Sequence, residues 1–283
     1  MNKLALGTVQ FGLDYGISNT SGQVSLEEAR KVLKLAKEHD IDTLDTASGY
    51  GNSEKVLGKI GVNDFQIVTK TTSLQLGVDK VLQSFYQSLT DLNATSVDGL
   101  LIHNIDETKD KQFDTLYKEL DKLKQDKLIN KIGFSTYTPD QVDFLLDNFD
   151  FDLIQVPFNV FDTRLIDGGQ LQALKNKKIE IHARSVFLQG LLLDFKNLND
   201  YFSKWTTQFN SYQETVKASG LSLLEYALNF ALNTSELDKV LVGVDSANQL
   251  LDITSSSTLD ANLKEFSIND ICLLNPVNWK QDI

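Results

Sequence analysis

The chain has 283 residues, of which 41% are hydrophobic, and its 39 acidic residues exceed its 27 basic ones, for a formal net charge of -12. A field of that sign repels nucleic acid and anionic membranes, so the composition argues against both as partners. The only cysteine is Cys272, which excludes an internal disulfide. Residues 1–7 hold too short an apolar stretch for a signal peptide. No apolar run approaches the ~20 residues that span a bilayer, so we expect a cytoplasmic protein.

Short apolar runs alternate with amphipathic patterns along the chain. Strands are predicted at residues 4–8, 41–44, 66–69, 99–102, 131–134, 153–154, 179–183 and 240–242. Helices are predicted from residue 25, at 53–58, 78–92, about 110–125, from 139, at 169–176, 223–232, 248–253 and within 260–274. An aromatic-rich insertion occupies residues 195–212, where it either covers a cofactor or packs on the fold.

Three of the helices carry clear local signals. Ser25 followed by Glu28 is a predicted capping box, and Ala29, Val32, Leu33 and Ala36 form the apolar face of the helix that it starts. Pro139 suits a first helical turn, where its missing N–H does no harm. In the helix at 78–92, one face is formed by Val81, Leu82, Phe85 and Leu89.

These elements amount to eight strand-then-helix units. Such alternation favours an α/β fold with a parallel sheet, and eight units favour a single closed (β/α)8 barrel, a TIM barrel, over residues 1–283. An open doubly wound sheet is the alternative. That fold usually has a Gly-x-Gly-x-x-Gly turn after its first strand, and this chain instead has Gly7-Thr8-Val9-Gln10-Phe11-Gly12.

Chemically useful side chains follow three of the predicted strands. Asp45, Lys70 and His103 each stand at a strand end, and Tyr50 lies in the loop after Asp45. In a parallel barrel all strand C-termini lie on one face, so we expect these four side chains to converge.

Together the four residues have the chemical groups that a proton-transfer site needs. A phenol with a pKa near ~10 is a poor acid, a neighbouring ammonium lowers that pKa, and a buried ammonium needs a counter-charge. Tyr50, Lys70 and Asp45 supply these roles, and His103 can donate a hydrogen bond to a carbonyl oxygen. None of them supplies a hydride, so a redox cofactor is implied. Taken singly, each has an ordinary structural explanation, and we interpret His39 and His182 as structural histidines.

With these residues in view, the chain resembles an aldo-keto reductase almost from end to end. The segments that carry the likeness are Leu6-Gly7-Thr8, Asp45-Thr46-Ala47 with Tyr50-Gly51, Val68-Thr69-Lys70, Leu101-Ile102-His103, Gly133-Phe134-Ser135, Gln155-Val156-Pro157-Phe158-Asn159, Gln189-Gly190-Leu191-Leu192 and Val242-Gly243-Val244-Asp245-Ser246. The family's tetrad of Asp, Tyr, Lys and His matches Asp45, Tyr50, Lys70 and His103 in order and in the spacing of the first two.

The resemblance implies a barrel that reduces an aldehyde or ketone with a nicotinamide cofactor, usually NADPH. Tyr50 would be the general acid, Lys70 the partner that lowers its pKa, Asp45 the residue that holds Lys70, and His103 the group that orients the substrate. The implied cofactor contacts are Thr8, Ser135, Thr136, Gln155, Arg184 and Ser185 around the nicotinamide, Leu188, Gln189, Gly190 and Leu191 at the pyrophosphate, and Gly243, Asp245, Ser246 and Gln249 at the adenosine end. No metal is expected.

Three departures from the family pattern bear on the cofactor. Thr136 replaces an Asn that usually follows Ser135, which removes one amide contact. Arg184 stands where many members stack an aromatic ring on the nicotinamide; its planar group can stack, but its charge disfavours the oxidised ring. Asp245 stands where many members carry a basic residue for the 2′-phosphate. The family favours NADP(H), and Asp245 makes NAD(H) a second possibility.

Other functions remain open from sequence alone. One is a nucleotide-sensing regulatory subunit with little turnover; another is a different barrel enzyme, such as a lyase or phosphosugar isomerase. The partner expected is a small carbonyl or alcohol substrate, polar or acidic rather than steroidal, and the oligomeric state cannot be read. The side chains expected to face that substrate, with Arg184 nearby, are Gln10, Phe11, Asp14, Tyr15, Asn104, Phe158 and Asn159.

Overall fold

The strands pair in sequence order and close into a parallel barrel, with the last strand against the first. The computed structural model describes residues 2–17, 19, 22–196, 198–257 and 263–279. The strands are β1 Leu4–Gly7, β2 Thr43–Asp45, β3 Gln66–Lys70, β4 Val97–Ile102, β5 Ile129–Ser135, β6 Leu153–Pro157, β7 Glu180–Arg184 and β8 Lys239–Gly243. The (β/α)8 prediction is confirmed, and the open doubly wound sheet is excluded.

Helices surround the barrel and cover its outer face. They are α1 Val9–Gly12, α2 Leu26–Glu38, α3 Ser53–Ile60, α4 Val78–Leu92, α5 Phe113–Gln125, α6 Pro139–Asn148, α7 Arg164–Asp167, α8 Gln170–Asn176, α9 Thr206–Ser219, α10 Leu223–Leu232, α11 Ala247–Ser255 and α12 Ile271–Leu274. Helices α4 and α10 match the predicted bounds at both ends. Pro139 stands at the first position of α6, as predicted.

The capping box predicted at the start of α2 is only half formed. Ser25 Oγ accepts from Glu28 N at 3.2 Å, but Glu28 Oε1 accepts from Ala247 N at 2.8 Å instead of returning to Ser25. The first N–H groups of α11 have no partner within that helix, and its dipole attracts a carboxylate. The carboxylate of Glu28 in α2 therefore caps α11, a helix that starts 219 residues further along the chain. The predicted apolar face of α2 is buried throughout.

Alternation along the strands separates an inner from an outer layer. In β7, Ile181 and Ala183 join the large hydrophobic core between sheet and helices, so Glu180, His182 and Arg184 face the barrel interior. The same alternation directs Val68 and Lys70 of β3 inward. Inside the barrel a small separate cluster is formed by Val68, Leu101 and Leu153.

Ion pairs fill the barrel end where the strands begin. Lys131 Nζ lies 2.8 Å from Asp98 and 2.6 Å from Glu180, and His182 Nε2 lies 2.7 Å from Glu180 Oε1. Burial opposes ionisation of Glu180, but these two partners hold its pKa at about 2. His182 is buried within this network, which supports its interpretation as a structural histidine.

In the second half of the chain, the insertion follows one of its two predicted alternatives, and one predicted helix differs from the structure. The insertion at 195–212 contains a 3-10 turn at Asp200–Trp205 and most of α9, and it packs on the fold. Its rings contact Phe161 and Phe266, since Phe161 lies 6.0 Å from Phe209. The helix predicted over 260–274 is wrong for 263–270, whose amides at Phe266 and Ile268 instead donate to Val160 and Phe161 carbonyls. Residues 260–262 lie outside the described part of the chain.

Candidate active site

The ends of β2, β3 and β4 bring the four predicted tetrad residues to one face of the barrel. Asp45 ends β2, Lys70 ends β3, and His103 directly follows β4. Tyr50 lies in the loop between β2 and α3, five residues after Asp45. The side chains make the contacts described below, so the predicted convergence is observed.

Lys70 is fully enclosed and has a complete set of acceptors. Its Nζ lies 2.7 Å from each carboxylate oxygen of Asp45 and 2.8 Å from Thr46 O, and its side chain is 1% exposed. Burial disfavours its charge, but the attraction of Asp45 and Tyr50 outweighs burial and raises the pKa of Lys70. Gln155 Nε2 donates to Asp45 Oδ2 at 2.7 Å. The charged pair is therefore paired and hydrogen-bonded, as a stable buried ion pair must be.

Tyr50 lies directly over this pair. Lys70 Nζ is 4.9 Å from the centroid of the Tyr50 ring. Burial raises the pKa of Tyr50 and the charge of Lys70 opposes that rise without cancelling it. Lys70 therefore acts in the expected direction, but the pKa of Tyr50 stays above its usual value, because burial is the larger cause. At neutral pH the phenol keeps its proton, which is the form that a general acid requires.

His103 meets Tyr50 edge to face. The two ring centroids are 6.1 Å apart and the ring planes are at 81°. Burial and then the charge of Lys70 lower the pKa of His103 to about 4. The imidazole is therefore neutral at physiological pH and carries a single N–H donor. A neutral donor of this kind can hold a carbonyl oxygen next to Tyr50 without adding a competing proton.

The low pKa of His103 predicts a specific pH dependence of stability. An unfolded chain protonates this histidine below pH ~6.5, whereas the folded chain resists until about pH 4. The stabilisation is present above pH ~6.5 and is lost as the pH falls towards 4, at a cost of about 3 kcal/mol. Urea unfolding of wild type and His103→Asn should therefore diverge over this range, with wild type losing more stability. Equal losses would contradict the assignment, and the same substitution at His39 is the control.

Sequence reasoning missed Ser53, which anchors the loop that carries Tyr50. Ser53 Oγ lies 2.8 Å from Thr8 O and 2.9 Å from Thr8 Oγ1, and Thr8 Oγ1 donates to Asp45 O at 2.9 Å. All three residues are buried. Thr8 is predicted to contact the nicotinamide ribose, but in the structure its hydroxyl forms hydrogen bonds with Asp45 at the end of β2 and with Ser53.

Two glycines allow the same loop to lie against α1. A Cβ added at Gly12 would come within 1.7 Å of Tyr50 O, and Gly51 has a positive φ of 58°. Side chains at either position would push the loop away or strain its backbone. The two glycines are visible in the sequence, but the sequence alone does not show that the segments around Gly12 and Gly51 lie against each other.

Beside the tetrad are the predicted nicotinamide contacts at the ends of β5 and β6. Ser135, Thr136 and Gln155 are all buried, and Thr136 Oγ1 has no hydrogen-bond partner. Because Gln155 Nε2 points to Asp45, its carbonyl oxygen is directed elsewhere. The Thr136 hydroxyl is buried without a partner, and the Gln155 side-chain oxygen is held in place because the Nε2 of the same amide donates to Asp45. Both groups can form hydrogen bonds with a ligand that carries an amide. These residues therefore fit a nicotinamide, while their contacts with one remain a prediction.

Arg184 ends β7 and reaches across to β5. Its Nη2 donates to Thr136 O at 2.9 Å, its Nη1 donates to Ser185 Oγ at 3.2 Å, and its Cζ lies 4.2 Å from the Tyr137 ring centroid. One face of the guanidinium is thus covered by Tyr137, which the sequence analysis did not single out. Ser185 has a positive φ of 61°.

The segment predicted to contact a pyrophosphate forms a tight turn, Leu188–Gly190. The N–H groups of Leu188, Gly190 and Leu191 each donate to the backbone carbonyl three residues earlier, and both leucine side chains are buried. Gln189 differs, since its side chain is half-buried and Nε2 donates to Tyr15 Oη at 3.0 Å. Any polar contact from this segment to a ligand would therefore centre on Gln189.

The predicted adenosine end is acidic. Asp245 Oδ1 is buried without a partner, and burial raises the pKa of Asp245, with Asp14 adding to the rise and the hydrogen bond to Gln249 opposing it. Gln249 Oε1 accepts from Asp245 N at 2.7 Å, and Ser246 caps α11. Gly243 is exposed and has Gln10 packed against it.

Three of the side chains expected to face the substrate do not. Phe11 and Phe158 are fully buried, and Phe158 stacks on Phe230 at 5.7 Å. Asn159 is buried too, and its amide bonds the Ser185 carbonyl. For Phe158, strand alternation explains the error, because this residue continues the outward-facing series of β6. The remaining candidates, Asp14, Tyr15 and Asn104, are exposed, and Gln10 is half-buried.

Fold and site together define a parallel barrel with a buried Asp–Lys pair, a tyrosine and a neutral histidine at its carboxyl end. The model of the aldo/keto reductase family matches residues 3–273. The chain belongs to the aldo/keto reductase family. It is an NAD(P)-dependent oxidoreductase that acts on small-molecule substrates of the carbonyl and alcohol type.

Curated relatives and solved structures agree with this assignment. The chain is 27% identical to L-galactose dehydrogenase of Arabidopsis thaliana, over 87% of this chain and 83% of the relative. It is also 27% identical to oxidoreductase sirO of Leptosphaeria maculans, over 87% and 86%. The fold resembles holo aldo-keto reductase AKR11C1 of Bacillus halodurans, with a TM-score of 0.74, 19% identity and coverage of 92% and 88%. The fold also resembles glycerol dehydrogenase AKR11B4 of Gluconobacter oxydans, with a TM-score of 0.71 and 20% identity. That match covers 93% of this chain and 88% of the other.

Among the residues described, no helix is both long and apolar enough to cross a bilayer. That region also contains no group of three or more His, Cys, Asp or Glu side chains placed to hold a metal ion.

Proposed function

We propose that the protein reduces an aldehyde or ketone to an alcohol, with Tyr50 as the general acid. The observation that carries this proposal is the enclosed Lys70, whose ammonium has Asp45 and Thr46 as acceptors and lies 4.9 Å from the Tyr50 ring. A buried charge with no surface role is costly, so its position under a phenol supports a function in proton transfer.

The four side chains divide the proton chemistry among them. A bound reduced nicotinamide would supply the hydride for the carbonyl carbon. Tyr50 gives its proton to the carbonyl oxygen, so that the product is a neutral alcohol and the tyrosine becomes a phenolate. The Lys70 charge stabilises that phenolate until solvent returns a proton, and Asp45 keeps Lys70 charged and in place. Neutral His103 donates to the same oxygen and orients the carbonyl.

The substrate is proposed to be small and hydroxylated. Two of the similar proteins are named for L-galactose and glycerol, both of which are polyhydroxy compounds. In this chain the polar side chains Asp14, Tyr15 and Asn104 are exposed in the loops that follow β1 and β4. Hydroxyl groups of a sugar-like carbonyl would find hydrogen-bond partners there.

For the cofactor we propose that NAD(H) is accepted together with NADP(H). Asp245 has a buried carboxylate oxygen that lacks a donor, and Asp14 lies close enough to raise its pKa. At the start of α11, the N–H of Ala247 already donates to Glu28, so this N–H is not available to bind a phosphate. A ribose 2′-hydroxyl can donate to such a carboxylate, as in other dinucleotide sites, whereas a 2′-phosphate meets like charges.

Asp245→Arg is expected to shift cofactor preference towards NADPH by about tenfold. At ~4 Å and an effective dielectric of ~20, two like unit charges repel by about 4 kcal/mol, which solvent and side-chain rotation reduce to about 1 kcal/mol. Removing that repulsion and adding a guanidinium gives the shift. Fluorescence titration with both reduced cofactors measures this preference. Asp245→Asn should give a preference between those of wild type and Asp245→Arg. Asp252→Arg, at an exposed site on α11, the helix that follows Asp245, is the control. A wild type strongly selective for NADPH and unaffected by Asp245→Arg would rule out the contact.

Oxidation of reduced nicotinamide in the presence of an aldehyde panel tests the proposed activity. The panel should include glyceraldehyde and other polyhydroxy aldehydes, and product alcohol should form in equal amount to oxidised cofactor. Tight cofactor binding without turnover on any substrate would contradict the proposal and favour a nucleotide-sensing subunit instead. A single domain over residues 1–283 and a cytoplasmic location remain predictions.

A further inference from the structure

The guanidinium of Arg184 is fixed by neutral groups alone. Its two hydrogen bonds go to Thr136 O and Ser185 Oγ, and its flat face lies on Tyr137. Within the described ranges, no Asp or Glu forms an ion pair with it. A guanidinium has five N–H donors, and two are used here. The side chain is thus held in one orientation while its charge has no counter-ion.

Arg164 provides a comparison within the same chain. Its side chain is 16% exposed, and its Nε and Nη2 pair with the Asp162 carboxylate at 2.7 and 2.9 Å. A partly buried cation usually has such a counter-charge, because desolvation without one is costly. In a chain with so many acidic residues, the lack of a carboxylate at Arg184 is therefore a specific feature of that place.

Strand geometry directs this charge to the tetrad. Glu180, His182 and Arg184 share the inner face of β7, and Arg184 is the last of them, at the carboxyl end. Lys70 ends β3 on its inner face too. After burial and the charge of Lys70, the charge of Arg184 also lowers the pKa of His103, as expected for a cation that faces the same space.

The charges around the tetrad do not cancel. Asp45 balances Lys70, and His103 is neutral at physiological pH. Of the charged side chains among the described residues that face the tetrad on the inner face of the barrel, Arg184 is then the one without a counter-charge. A positive site within an acidic protein draws anions to one place and repels cations from it.

We propose that Arg184 binds an anionic group of the substrate, so that the preferred substrates are aldehydes or ketones bearing a carboxylate or a phosphate monoester. This specificity rests on the proposed carbonyl reduction. Both anions match the planar fork of a guanidinium, which holds them by paired N–H bonds. The predicted pyrophosphate segment, Leu188–Gly190, follows β7 further along the chain, whereas Arg184 is on the inner face with Lys70. The anion is therefore assigned to the substrate and not to the cofactor.

Matched substrate pairs test the proposal by kinetics. The pairs are 4-oxobutanoate with butanal, and glyceraldehyde 3-phosphate with glyceraldehyde. In wild type, kcat/KM should be higher for the anionic member, and Arg184→Gln should lower the anionic-to-neutral ratio roughly 10- to 100-fold. The ratio does not depend on the fraction of folded enzyme. Arg184→Lys, which keeps the charge without the fork, should give an intermediate ratio. The pair whose anionic-to-neutral ratio falls more in Arg184→Gln shows whether the preferred anion is a carboxylate or a phosphate.

Arg30→Gln is the control, because it removes the same charge from an exposed position on α2. It should leave the ratio unchanged. A ratio unaffected by Arg184→Gln, or a loss that appears only as weaker cofactor binding, would overturn the proposal.

A binding measurement without turnover separates this proposal from the proposed function. Butanoate, but not the uncharged butanamide, should shift the His103 ring signals in NMR spectra of wild type, and Arg184→Gln should abolish the shift. The His103→Ala variant assigns those signals. If butanoate binds in this way while no aldehyde is reduced, the anion site stands and carbonyl reduction fails. If aldehydes are reduced but no anion binds, the proposal about Arg184 is wrong.

Discussion

Replacing Tyr50 with Phe is expected to lower kcat at least ~10²-fold, the usual scale for losing a positioned general acid. The ring remains, so its ring contacts with Lys70 and with His103 are kept, while the hydroxyl that carries the transferable proton is removed. Binding of reduced cofactor should change little. Stopped-flow single turnovers with saturating cofactor measure the chemical step directly.

The matched control is Tyr86→Phe, which removes the same hydroxyl from a ring that is 50% exposed on α4. It should behave as wild type. Near-normal turnover by Tyr50→Phe would end the tetrad interpretation, because no described side chain takes the place of the phenol over Lys70.

Lys70→Met is expected to affect both activity and stability. The substitution leaves the Asp45 carboxylate buried, with the amide of Gln155 as its remaining side-chain partner. An uncompensated buried charge of this kind costs about 3–5 kcal/mol of unfolding free energy. Turnover should also fall, since the pKa of Tyr50 is already raised by burial and would lose the charge that opposes this rise. Urea unfolding and the pH profile of kcat measure the two effects.

The double variant Asp45→Asn with Lys70→Met separates these effects. With both charges removed, most of the lost stability should return, because neutral groups of similar size replace the pair. Activity should stay low, since no cation remains beside Tyr50. Recovery of both properties together would mean that Lys70 serves the fold and has no role in proton transfer.

Local patterns were sufficient to predict much of the fold. The apolar face of α2 and both ends of α4 and α10 follow from spacing and capping residues, which act within a few residues. The convergence of Asp45, Lys70 and His103 was predictable as well. It requires only that parallel strands end on the same side of a barrel.

The errors come from contacts between distant segments. Glu28 was expected to cap its own helix, but it caps α11, because the free N–H of Ala247 lies beside it in space. Residues 263–270 have apolar positions that suit a helix, yet their amides pair with the loop after β6. Phe158 was assigned to the substrate from its place after a strand, without regard to which face of β6 it continues. The unpaired charge of Arg184 also becomes visible only when all its neighbours are known.

The seam between β1 and β8 has a consequence for how the barrel is made. Leu4 pairs with Val240, and Glu28 reaches Ala247, so the ring cannot close until residues 240–247 have left the ribosome. The four tetrad residues are synthesised within the first 103 positions and must wait for that closure. Until then β1 and the newest strand each present an unpaired edge, which can pair with another chain. The nascent protein is therefore most exposed to misassembly just before its last strand arrives.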